Sequence, residues 1–156
     1  MLAVAGAVLA AASLAGDAPC TRAEASRAMA AAPGLPAVLK ELAREPSGGP
    51  NVLICHDFTR DGRVDMAVTL FSGGTAGDLG WVVFRASAGG WKLALHGAGY
   101  KLGVGRVGDD VVVMQPIYRK NDPNCCPTGG FEHERYRWRG SRFATVRTWT
   151  DKSFHP

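Results

Sequence analysis

Residues 52–71 read VLICHDFTRDGRVDMAVTLF, and the hydrophobic period inside this stretch decides the fold class. Val52 to Cys55 is a continuous apolar run, the pattern of a strand buried on both faces. Met66, Val68 and Leu70 then alternate with Ala67, Thr69 and Phe71, the two-residue period of a second strand. The polar segment between them carries Asp61-Gly62, a turn signal, so the pair is expected to run antiparallel.

Upstream the period is helical. Thr21-Arg22-Ala23-Glu24 is a capping box, an Ala-rich run follows, and Pro33-Gly34 stops it. Pro36 opens a second short helix in which Leu35, Val38, Leu39 and Leu42 recur at helical spacing, and residues 45–50 form a loop. Downstream the strand pattern continues. Trp81 to Ala86 and Trp91 to His96 flank a Gly-rich hairpin turn, and Arg135 to Arg139 and Phe143 to Trp149 flank Gly140-Ser141. Val111 to Tyr118 carries Pro116, which lacks a ladder donor and marks an edge strand or a bulge. The expected fold is α+β: an N-terminal helix, or two, packed on an antiparallel sheet of about seven strands. No repeat of fixed period appears, so a complete propeller is not expected.

With 46% hydrophobic residues, 21% charged residues and four Trp, the chain is a globular domain and not a disordered one. Its formal charge of +4 does not call for nucleic acid. Leu2 to Leu14 is small, apolar and uncharged, too short for a membrane span of about 20 residues but suited to a secretory signal. Ser13-Leu14-Ala15 places a cleavage site after Ala15. The chain therefore divides into a signal peptide (1–15), a helical segment with linker (16–50) and a β region (51–156), the last two forming one domain. Lipid attachment is not expected, because Asp17 follows Gly16 and the first cysteine is Cys20. Cys20, Cys55, Cys125 and Cys126 are even in number and lie beyond the signal, as in an exported disulfide protein. Three pairings exist. A bridge between neighbours demands unusual peptide geometry, so Cys125 and Cys126 are expected to reach separately to Cys20 and Cys55.

Four segments hold candidate chemistry. In residues 56–65, Asp57, Thr59, Asp61 and Asp65 offer side-chain oxygens at alternate positions and Arg63 offers a carbonyl, a donor set suited to Ca²⁺. This segment resembles the calcium loops of FG-GAP and VCBS repeats, with Thr59 in place of a carboxylate or amide. An EF-hand does not fit, because its twelfth position falls on Val68. The alternative is a hairpin turn whose aspartates cap backbone amides. Arg135, Arg137 and Arg139 alternate with Tyr136 and Trp138, placing an arginine face toward an anionic surface or toward solvent. In residues 121–130, prolines and glycines stiffen a loop that the cysteines are expected to anchor. The Gly-rich loop of residues 72–80 lacks the Lys-Ser/Thr of a phosphate-binding loop. None of His56, His96, His133 and His155 sits in a catalytic or metal motif, and His56 and Asp57, as strand neighbours, point to opposite faces.

Cys55 to Asp65, Ser72 to Asp78 and Asp122-Pro-Asn-Cys-Cys-Pro-Thr128 together resemble exported actinobacterial proteins of the LppP/LprE lipoprotein type. The resemblance implies export and an envelope location, and no activity. The expected function is a non-catalytic secreted or cell-envelope binding module. Its partner is an envelope component or another exported protein, and Ca²⁺ is its one candidate cofactor. The alternative is a small secreted hydrolase using His56 or His96 near the Gly-rich loop.

Overall fold

The computed structural model describes residues 18–155, so the signal segment expected at residues 1–15 lies outside the described residues. Helix α1 spans Arg22–Ala31 and α2 spans Ala37–Ala43. Thr21 caps α1 as its sequence predicts, with its side chain accepting from the Glu24 amide at 3.1 Å. The reciprocal half of the box is absent, since the Glu24 carboxylate accepts instead from Arg27 Nε at 2.9 Å.

Eight strands follow: β1 (Gly49–His56), β2 (Asp65–Phe71), β3 (Asp78–Ser87), β4 (Gly90–Ala98), β5 (Gly103–Val107), β6 (Asp110–Pro116), β7 (Phe131–Trp138) and β8 (Phe143–Asp151). They form two four-stranded antiparallel sheets, β1-β2-β3-β4 and β5-β6-β7-β8, and not one sheet of seven. The reason lies in β2 and β3. Met66, Val68, Leu70, Val82 and Phe84 face the helices and pack with Ala25, Met29, Leu35 and Leu39. Ala67, Trp81 and Val83 face the other way and are equally buried. Two helices of ten and seven residues cover only one face. The second face needs its own apolar layer, and β5 to β8 supply it through Val104, Val111, Val113 and Phe143. The result is three layers, helix on sheet on sheet.

One close approach sets the helix position. A Cβ at Gly80 of β3 would lie 2.5 Å from Leu39 Cδ2, so glycine lets α2 sit directly on the sheet. Pro116 marks neither an edge nor a bulge. It is the last residue of β6, an inner strand, where the ladder ends.

The cysteine pairing also differs from expectation. Cys20 bonds to Cys55, tying the lead-in of α1 to β1, and Cys125 bonds to Cys126. The cause is the layering. The helices lie on the first sheet, whereas the 118–130 loop belongs to the second, so the two groups of cysteines occupy different layers. None of the described helices is long and apolar enough to cross a membrane.

Candidate functional site

The loop between β1 and β2 holds the candidate calcium donors. Asp57 accepts from the Asp61 and Gly62 amides at 3.1 and 2.8 Å, and Asp61 accepts from the Arg63 amide at 3.0 Å. Gly62 has φ 84°, a turn conformation that glycine adopts without strain. Asp65 points inward, fully buried, and accepts from the Thr59 and Ala86 amides at 2.8 and 2.9 Å. Burial pushes the Asp65 carboxyl above its ordinary range, against the pull of those two amides. Each of these carboxylates accepts from backbone donors, and that of Asp65 points into the core. Among the described residues no group of three or more His, Cys, Asp or Glu side chains is placed to hold a metal ion.

His56 closes β1 and finds its partner across the molecule. Its Nε2 lies 2.8 Å from Asp109 Oδ1, and Arg60 Nε donates to the other oxygen at 2.9 Å. The hydrogen bond to His56 holds the Asp109 carboxyl below the usual range. This cluster joins the first sheet to the turn between β5 and β6. It lies apart from the Gly-rich loop: His56 pairs with Asp65 at one end of β2, and the loop leaves Phe71 at the other end. His96 is exposed on β4, an edge strand.

Arg135 and Arg137 share one face of β7, as their alternation predicts, but both are engaged. Arg135 Nε donates to Asp110 at 2.5 Å, and Arg137 donates through Nε and Nη2 at 2.9 and 2.8 Å. Tyr136 and Trp138 pack into the core between the sheets, and Arg139 is exposed. Burial pushes the Asp110 carboxyl up, but the bonds to Arg137 and Arg135 carry it net below its ordinary value. A depressed folded pKa gives stability that is present above the unfolded value of about 4 and is lost as pH falls through the folded value. The Asp110→Asn variant should lose about 2 kcal/mol at neutral pH, less than a fully buried pair, because the arginine side chains are 24% and 40% exposed. Its melting temperature should also fall less than the wild type's between about pH 5 and pH 2. Parallel melting curves across that range would refute the assignment.

The remaining cluster surrounds the Pro- and Cys-rich loop of residues 121–130. After β6, Ile117 N donates to Gly130 O at 2.8 Å and Gly129 N donates to Ile117 O at 2.9 Å, closing the base of a loop. Asp122 pins it from within, accepting from the Arg119 amide, the Thr128 amide and the Thr128 hydroxyl, each at 2.7 Å. The Thr128 and Arg119 amides hold its carboxyl below the usual range. Asn124 pins it from outside: its carbonyl accepts from Lys101 Nζ and Tyr118 OH, and its side-chain oxygen accepts from Tyr100 OH. The cysteines, expected to anchor this loop, bond only to each other. Between the loop and the outer side of the second sheet lies an open cleft of about 220 Å³. Pro116, Tyr118, Pro127, Phe131 and Phe154 line it, with Cys125 and Lys101 at its wall.

No family model, curated protein or solved structure matches this chain. The resemblance to the LppP/LprE type therefore gains no support from comparison. Three aromatic or proline positions of the cleft flank the disulfide loop in sequence, but Lys101 and Phe154 come from distant segments. The Pro- and Cys-rich run of residues 121–130 was the one local sign of it.

Proposed function

We propose that this chain is a non-catalytic, extracytoplasmic binding module whose ligand surface is the cleft beside residues 118–130. The observation carrying this reading is a set of apolar rings held open by a loop whose shape is enforced by hydrogen bonds from Thr128 to Asp122 and from Tyr118 to the Asn124 carbonyl. Apolar walls with few polar groups are the usual composition of a ligand site. At about 220 Å³ the cleft is smaller than the roughly 300–1,000 Å³ that enclose a whole small molecule. It suits one ring protruding from a larger ligand, as in an interaction module. The Cys20–Cys55 bond favours an exported location.

The hydrolase reading has less to support it. His56 has a carboxylate partner, Asp109, and a ring neighbour, Phe58, and among the described residues no serine, threonine or cysteine hydrogen-bonds to its ring for it to activate. A single experiment separates the two. Amide chemical shifts should be followed while N-acetyl-tryptophanamide and, separately, methyl glucoside are added. One of the probes should perturb Tyr118, Phe131 and the 121–130 amides, and Phe154→Ala should weaken that binding at least about fivefold without unfolding the chain. Shifts confined to the surroundings of His56, with turnover of ester or phosphoester substrates abolished by His56→Ala, would overturn the proposal. So would an unperturbed cleft at saturating concentrations of both probes.

A further inference from the structure

The Cys125–Cys126 bond has a sequence separation of 1, against 35 for Cys20–Cys55. A crosslink stabilises a fold mainly by removing loop-closure entropy from the unfolded chain, so a bond between neighbours contributes almost nothing by that route. The loop does not need it either. Asp122 accepts three hydrogen bonds, Asn124 accepts three more, and the Ile117 pairing with Gly129 and Gly130 closes the base. Both cysteines are exposed. Adjacency holds their Cα atoms 3.8 Å apart, below the about 4.4–6.8 Å of ordinary disulfides, a departure that makes such bonds easier to reduce. Cys125 also lines the cleft together with Lys101, whose ammonium donates to the carbonyl of Asn124, the residue before Cys125, and so puts a positive charge in the same loop.

We propose that Cys125–Cys126 is a thiol–disulfide exchange site for a dithiol reductant, and that Cys20–Cys55 is the structural bond. In the first step a reductant thiolate attacks Cys126 Sγ, the S–S bond breaks, and Cys125 leaves as a thiolate on the cleft side of the loop. In the second, the other thiol of the reductant, deprotonated to water, attacks its own sulfur in the mixed disulfide. Cys126 is released, and the reductant becomes a cyclic disulfide. Two electrons pass from the dithiol to the protein pair, and two protons end on Cys125 and Cys126.

The test uses the full chain under native conditions with graded dithiothreitol, N-ethylmaleimide as trap, peptide mapping, and melting at each step. Cys125 and Cys126 should be labelled at a dithiothreitol concentration at least about tenfold below that needed for Cys20 and Cys55. The fold should be retained, with melting shifted by less than about 2 °C. Lys101→Gln should slow the first step about threefold. Simultaneous labelling of all four cysteines, or labelling of Cys125 and Cys126 only on unfolding, would overturn the proposal. A Cys125→Ser/Cys126→Ser variant that melts as far below wild type as one lacking Cys20–Cys55 would overturn it equally.

Discussion

Replacing Cys20 and Cys55 together with serine should destabilise the domain by about 3–4 kcal/mol and lower its melting temperature by roughly 10 °C. The bond spans 35 residues and joins the lead-in of α1 to β1, so its removal returns that loop's freedom to the unfolded state. Helix α1 has ten residues, too few for stability on its own. With the bond cut it would be held by Ala25 and Met29 in the core and by the 2.8 Å donation from Arg22 Nε to Asn51 O. Denaturant unfolding measures the loss, and hydrogen exchange locates it: α1 amides should lose protection before those of β2 and β3. A double variant within about 1 kcal/mol of wild type would show that the core alone seats the helix.

The Asp65→Ala variant should lose about 3 kcal/mol. Asp65 is buried, and its two oxygens accept from the Thr59 and Ala86 amides, linking the β1–β2 loop to the end of β3. Removing the carboxylate leaves two buried donors without partners, each costing about 1–3 kcal/mol, offset in part because the buried charge goes too. Asp65→Asn should fall between, since an amide oxygen can serve one of the two donors and the NH₂ group none. Chemical denaturation of the three proteins checks this order. Equal stability of Asp65→Ala and wild type would mean that the loop holds its shape without the carboxylate.

What could be read along the chain was local. Thr21 caps α1 because its hydroxyl and the Glu24 amide are three residues apart. The Ser87 to Gly90 turn and the alternation of Arg135 and Arg137 with Tyr136 likewise depend on neighbours. Strand β5 escaped notice because Gly-Val-Gly-Arg-Val is short and three of its five residues are glycine or charged, so its pairing with β6 supplies what its composition does not.

The two helices, seven of the eight strands, the α+β class and the aspartate-capped turn follow from residue spacing, since period and turn chemistry are set by residues a few positions apart. Tertiary structure decided the split into two sheets, the cysteine partners, the capture of Arg135 and Arg137 by Asp110, and the gathering of Lys101, Tyr118, Phe131 and Phe154 around one cleft. Periodicity records that a face is apolar but not which segment will cover it. That choice is made by the burial of β2 and β3 on both sides, a demand only a second layer can meet.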